Sequence, residues 1–135
     1  MRRLSPVLIL AFAALLFAVA GCGGSDESDE ESTTPAEAVA EIDKIKTMLA
    51  TAVGQVREGD ADAAEETVGD AYLEHFEHVE GPLGEKDHEL MEELEEAIST
   101  DLRKQIKDGD DASEIQASVT DIEAKLDQAV EALQN

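Results

Sequence analysis

The sequence has 135 residues, of which 33 are acidic and 10 are basic, and its formal net charge at pH 7 is −23. A surface this acidic repels phosphate, which excludes binding to nucleic acid or to anionic lipid through a basic face. Aromatic residues make up only 3 % of the chain, whereas 42 % of residues are apolar. The length allows one domain with a modest core, and its partners are expected to be cationic.

Two arginines and an apolar run over residues 7–20 open the chain. The run is too short to span a membrane as a helix and has the length of a signal-peptide core. Residues 19–22, Val-Ala-Gly-Cys, resemble the lipobox of bacterial lipoproteins, in which the cysteine is acylated. We therefore expect residues 1–21 to be a lipoprotein signal peptide, and Cys22 to anchor the chain on the extracytoplasmic side of a membrane in the bacterial cell envelope. The alternative is an ordinary secretory signal with a chance cysteine.

The segment after Cys22 contains glycine, serine, threonine and acidic residues and no apolar side chain. It cannot bury surface and its charges repel one another, so residues 22–34 are predicted to form a lipidated, disordered tether. Its acids could bind metal ions, but a solvated spacer is the simpler interpretation. Residues 35–135 then make up the folded domain.

From residue 35 onward, apolar residues recur at intervals of three and four, which is the pattern of amphipathic helices. Thr34 and Glu37 have the spacing of a capping box, with a proline between them at the first helical position. Gly59 is expected to end this first helix.

The second helix is predicted to start at the cap Asp60 and to run to about Val79, because residues 80–84, Glu-Gly-Pro-Leu-Gly, contain strong helix breakers. Asp87 is the expected cap of a third helix that ends near Gly109.

Residues 113–116, Ser-Glu-Ile-Gln, have capping-box spacing and are expected to open a fourth helix. No segment alternates apolar and polar residues with period two, so strands are not expected. Four amphipathic helices with short connections predict an all-α fold, an up-down-up-down four-helix bundle over residues 35–135.

Residues 72–80 contain two of the three histidines and both aromatic residues that follow the signal peptide. On a helix, Glu74, Glu77 and His78 share an outer face, and Glu80 borders the apolar stripe. Carboxylate with imidazole suits first-row transition metals, and carboxylates alone suit ferric iron or calcium. Glu95, at the edge of the third helix's stripe, is the expected ligand from that helix. Further candidates there are His88, Glu92 and Glu96. The alternative is a solvated acidic face, because Glu-x-x-Glu pairs arise easily in so acidic a chain.

Motifs on two of the predicted helices resemble a known family. The second helix matches a Tyr-x-x-x-Phe-Glu-x-Val-Glu pattern at Tyr72, Phe76, Glu77, Val79 and Glu80. The third opens near an aspartate and carries aliphatic-Glu and Leu-Arg pairs, at Asp87, residues 94–95 and residues 102–103. Over residues 42–133, the chain thus resembles the extracytoplasmic helical domain of bacterial high-affinity iron permeases of the iron/lead transporter family.

The resemblance implies a freestanding, lipid-anchored version of that domain, in which Glu77 and Glu80 handle iron. Glu74 and His78 are candidates by geometry alone. The membrane helices and Arg-Glu-x-x-Glu motifs of the permeases do not follow the predicted signal peptide. We therefore do not expect the chain to be the transporter itself.

The expected function is non-catalytic: the protein would collect ferric or ferrous iron with surface carboxylates and pass it to a membrane iron permease. The alternative is a structural or interaction lipoprotein whose acidic helical face docks a basic envelope partner. An enzyme is not expected, because the sequence has no nucleophile arrangement, glycine-rich phosphate loop or His-Glu-x-x-His motif. The sequence does not specify an oligomeric state.

Overall fold

The computed structural model describes residues 33–135, and all the regular structure in this range is helical. The four helices in chain order are α1 (Pro35–Glu58), α2 (residues 61–86), α3 (residues 88–108) and α4 (Ala112–Gln134). This confirms the predicted all-helical class. The predicted signal peptide, Cys22 and the tether up to residue 32 lie outside the described residues. Within residues 33–135, no helix is long and apolar enough to cross a membrane.

Three helix starts and two helix ends lie where the sequence predicts them. The Glu37 N–H donates to Thr34 Oγ1 at 3.3 Å and the Thr34 N–H donates to the Glu37 carboxylate at 2.8 Å, which completes the capping box of α1. Gly59 ends α1 with a left-handed φ of 86°, and α3 ends in the same way. Asp60 and Asp87 accept backbone N–H groups at the starts of α2 and α3.

The prediction that α2 breaks at residues 80–84 is wrong, because the helix continues through Pro82 to Lys86. A proline inside a helix costs roughly 3 kcal/mol. The continued helix buries Leu83 completely, which is worth about 1.5–3 kcal/mol. The Leu83 carbonyl also accepts the Asp87 N–H at 2.7 Å. The burial and this hydrogen bond together offset the cost of the proline.

The predicted start of α4 is also wrong, by two residues. Asp111, not Ser113, is the cap, and its carboxylate accepts the N–H groups of Ser113 and Glu114 at 2.9 and 3.2 Å. The Glu114 carboxylate accepts the Asp111 N–H in return at 3.3 Å. An aspartate therefore serves the capping box in place of the serine, and the helix begins at Ala112.

α2 and α3 each contain one π-helical turn that the sequence analysis does not predict. α2 consists of Ala61–Asp70, the π-turn Ala71–Phe76 and Glu77–Lys86. α3 consists of His88–Glu96, the π-turn Ala97–Leu102 and Arg103–Asp108. In α2, the Glu77 N–H donates to the Tyr72 carbonyl five residues back, as a π-turn requires.

The four helices enclose one core of aliphatic side chains. α1 packs against α2 and α4, and α3 packs against the same two helices. Phe76 is fully buried in this core and is its largest side chain. No polar or charged residue within 33–135 is buried, so the acids of the described domain lie at its surface or at the edges between helices.

Candidate functional site

Tyr72 lies in the π-turn of α2 and connects this helix to α3. Its ring packs on that of Phe76, with centroids 6.0 Å apart and an interplanar angle of 27°. Its hydroxyl points out of the core and donates a hydrogen bond to Glu95 Oε1 on α3, at 3.4 Å. The ring therefore belongs to the core while the hydroxyl belongs to a polar edge between two helices.

The charges of three carboxylates act on the Tyr72 hydroxyl, and we call Tyr72, Glu77, Glu80 and Glu95 the Tyr72 cluster. Burial raises the pKa of Tyr72 to about 12, with further contributions from the negative charges of Glu80, Glu95 and Glu77. Burial also raises the pKa of Glu80, and the charges of Glu95 and Glu77 add to this, while the Tyr72 hydroxyl offsets part of it. No basic side chain among residues 33–135 pairs with these carboxylates, so within this range the negative charge of the cluster is uncompensated.

Glu80 is the member of this cluster whose environment is least satisfied. Its side chain is half-buried, and its buried Oε1 atom has no hydrogen-bond partner in the part of the chain that the structure describes. A buried carboxylate oxygen without a partner carries a desolvation cost that a cation or a proton would relieve. Glu95 is also half-buried, whereas Glu77 is exposed at the rim.

The structure does not bring all five predicted metal ligands together. Glu80 and Glu95 meet at the Tyr72 hydroxyl and Glu77 adds charge beside them, whereas Glu74 and His78 are exposed and contact no ionic partner among residues 33–135. In the same range, no three histidine, cysteine or acidic side chains form a group that could hold a metal ion. The metal ligation predicted from the sequence thus stays a prediction. Of the five predicted ligands, Glu80 and Glu95 are the two that the structure brings together.

The two other histidines of α2 and α3, His75 and His88, each have a carboxylate partner. His75 is only 19 % exposed and its Nδ1 lies 2.6 Å from Glu41 Oε2 on α1. A hydrogen bond from Lys44 lowers the pKa of Glu41, and His75 contributes further. On α3, Glu92 lies 3.3 Å from His88. His75 is therefore part of a contact between α1 and α2, which helical spacing alone does not reveal.

A second contact between helices, Glu65 with Arg103 and Lys107, also escapes the sequence analysis. The Arg103 guanidinium pairs with Glu65, and Lys107 Nζ lies 3.1 Å from the same carboxylate. These bases lower the pKa of Glu65, Arg103 more than Lys107. Arg103 reaches Glu65 across Gly69, and a Cβ atom at Gly69 would lie 3.7 Å from Arg103 Cζ. No feature of the sequence alone predicts this contact, because it depends on the packing of α2 against α3.

No protein-family model, curated protein or solved structure matches this chain. The resemblance to the iron-permease domain therefore stays a prediction based on its motifs, and the geometry of the Tyr72 cluster is the basis on which a function can be proposed.

Proposed function

We propose that this chain is a lipid-anchored extracytoplasmic protein that binds iron with the carboxylates of the Tyr72 cluster and passes it to a membrane iron permease. The observation that carries the proposal is the buried Oε1 of Glu80, which has no hydrogen-bond partner among the described residues. Glu41 and Glu65, which also lie half-buried between helices, each contact two basic side chains. Glu80 contacts no basic side chain within residues 33–135, so a cation from solution would supply the positive charge that basic residues supply to Glu41 and Glu65.

The donor atoms of the cluster favour a hard cation. Glu80 and Glu95 offer carboxylate oxygens, and the Tyr72 hydroxyl lies beside them. Oxygen donors of this kind suit ferric iron, with water or a small chelator completing the coordination. Few protein ligands make for weak binding, and weak binding is what a protein that delivers iron needs. Iron is then cargo rather than a resident cofactor, and the chain is not an enzyme.

The proposal includes an up-down-up-down four-helix bundle as the scaffold. Contacts that run in opposite directions along neighbouring helices support it. Midway along α1, Lys46 contacts Asp127 in the second half of α4, and at the end of α1, Arg57 contacts Gln116 near the start of α4. These two helices are therefore antiparallel. Between α2 and α3, Tyr72 contacts Glu95 and Glu65 contacts Arg103. Between α3 and α4, Gln105 contacts Ser118 and Glu93 contacts Lys125. The connections between helices are short.

The membrane anchor in this proposal is supported by the lipobox-like residues 19–22 and by the apolar run before them. An acylated Cys22 would place the domain at the membrane surface, where a permease can receive iron from it. Cys22→Ser should shift the protein from the membrane fraction to the soluble fraction of a bacterial host. Unchanged membrane association of this variant would contradict lipid anchoring at Cys22.

The test of iron binding is a calorimetric titration of the purified chain with ferric citrate. We expect saturable binding that Glu80→Gln/Glu95→Gln weakens at least about tenfold, which corresponds to roughly 1.4 kcal/mol. Glu89→Gln/Glu92→Gln is the matched control, because it removes two exposed carboxylates from α3 outside the cluster. This control should bind as the unmodified chain does. If the titration does not saturate, or if both double variants lose the same amount of affinity, the proposal is contradicted.

A further inference from the structure

One exposed stripe of α2 combines four acids with a leucine. The stripe, which we call the α2 outer face, consists of Asp62, Glu66, Asp70, Leu73 and Glu77. These residues are three or four positions apart and all are exposed, so they follow one side of the helix. Leu73 is 56 % exposed, and it is the one large apolar side chain that the domain over residues 33–135 exposes in this way.

The acids of the α2 outer face lack compensation by bases. No lysine or arginine occurs between Arg57 and Lys86, a range that covers nearly all of α2. None of the four acids forms an ion pair with another residue in the described range 33–135, in contrast to Glu65, which faces α3 on the same helix. The potential beside Leu73 is therefore negative, and it attracts cationic groups.

The helix is also irregular at this position. Leu73 lies inside the π-turn Ala71–Phe76, in which two fully buried residues, Ala71 and Phe76, are five positions apart. The turn directs both of these into the core and leaves Leu73 outside it. π-turns inside helices occur frequently at functional sites, and this one sets an apolar side chain among acids.

We propose that the α2 outer face docks a basic segment of another protein, with lysine or arginine residues on either side of an apolar residue that covers Leu73. Charge complementarity selects this occupant. A second copy of the chain would bring like charges together in a symmetric contact, and nucleic acid or anionic lipid would be repelled. An inorganic cation would gain nothing from Leu73. Glu77 belongs both to this face and to the Tyr72 cluster, but Glu66, Asp70 and Leu73 lie outside the cluster. Docking through these three residues therefore does not require the pair Glu80 and Glu95 at the edge between α2 and α3.

The test uses the full chain and a fluorescent synthetic peptide in which lysines flank leucines on one helical face. Fluorescence anisotropy at physiological salt should show Leu73→Ser weakening the binding about fivefold or more, as expected for an apolar anchor within an interface. Glu66→Gln/Asp70→Asn should weaken it about tenfold. Glu92→Gln/Glu96→Gln, two exposed acids with the same spacing on α3, should change it less than about twofold.

Two results would overturn this inference. Equal weakening by the α2 and α3 acid variants would show general attraction to an acidic protein, and unchanged binding by Leu73→Ser would show that the leucine is not contacted. Circular dichroism of each variant checks that the helices are retained. Ferric citrate titration of Leu73→Ser should match that of the unmodified chain, so a failure of docking is distinguishable from a failure of iron binding.

Discussion

The four helices fall into two pairs that differ in the spacing of their core residues. In α4, buried positions alternate between steps of four and three, at Ile115, Val119, Ile122, Leu126, Ala129 and Leu133, and α1 follows the same pattern from Ala38 to Ala52. In α3, every step is four, at Leu90, Leu94, Ile98, Leu102 and Ile106. α1 and α4 are regular α-helices, whereas α2 and α3 each contain a π-turn.

The helical repeat explains this difference. An α-helix has 3.6 residues per turn, so each four-residue step overshoots a full turn by about 40°. Four such steps in α3 would carry the apolar stripe about 160° round the helix. A π-turn takes up one extra residue and brings the stripe back to the core. The two irregular helices are also the pair that carries the Tyr72 cluster, so the same turns that keep the core aligned position the site.

The largest expected difference between the two pairs of helices is the loss of stability when one exposed residue is deleted. Without Thr120, the core residues of α4 before and after the deletion no longer share a face, since one residue corresponds to about 100°. At least Ile115 and Val119 would leave the core, which costs roughly 3–6 kcal/mol at about 1.5–3 kcal/mol for each side chain. We expect urea denaturation to show a chain that is largely unfolded or close to it.

Deletion of Thr100 in α3 is the matched control, because Thr100 is equally exposed but lies in a π-turn. Removing it converts the step from Ile98 to Leu102 from four residues to three, which suits a regular α-helix. The free energy of unfolding should change by less than about 1 kcal/mol. If both deletions were equally costly, the spacing of the stripe would not be the cause of the π-turn.

This comparison shows how much of the fold the sequence specifies. Periodicity and caps predict four helices and their order, because apolar spacing and residues such as Thr34, Asp60 and Asp87 act locally. The predicted break at Pro82 is wrong because the burial of Leu83, a tertiary effect, outweighs the cost of a proline inside the helix. The run of four-residue steps in α3 is present in the sequence and could have predicted its π-turn.

The candidate site is less predictable than the fold. Helical spacing places Glu74 and His78 on one face, but a shared face does not bring side chains of one helix together with those of another. Glu80 and Glu95 meet because α2 and α3 pack side by side and the π-turn sets Tyr72 between them. The pairing of His75 with Glu41 depends in the same way on the packing of α1 against α2.

Two carboxylates of the α2 and α3 pair should respond to pH in opposite directions. Arg103 and Lys107 lower the pKa of Glu65 below its ordinary value of 4.5. The stabilisation from Glu65 is therefore present above pH 4.5 and is lost as the pH falls through the lower pKa of the folded state. Glu65→Gln should cost about 0.5–1 kcal/mol at pH 7, typical of a partly exposed ion pair, and progressively less in acid.

The substitution Glu80→Gln should have the opposite effect on folding stability at pH 7. Burial raises the pKa of Glu80 above 4.5, so its charged form penalises the folded state once the pH exceeds the unfolded-state value. The variant should raise the Tm at pH 7 by roughly 2–4 °C, about 0.5 kcal/mol, and this gain should vanish below pH 4.5. Thermal denaturation of both variants from pH 3 to pH 7 gives the comparison. If both substitutions changed the Tm at pH 7 in the same direction, the assignment of Glu80 as the uncompensated carboxylate would be contradicted.

The smallest expected difference concerns Gly69, where Arg103 passes over α2. A Cβ atom at Gly69 would lie 3.7 Å from Arg103 Cζ, which is an ordinary van der Waals contact. Gly69→Ala should therefore stabilise the helix by about 0.5–1 kcal/mol without displacing Arg103 from Glu65. Gly54→Ala in the regular helix α1 is the control, because a Cβ there has no neighbour within 4 Å. Equal gains in urea denaturation are expected, whereas a gain at Gly54 with a loss at Gly69 would show that the contact between Arg103 and Glu65 requires the bare backbone of α2.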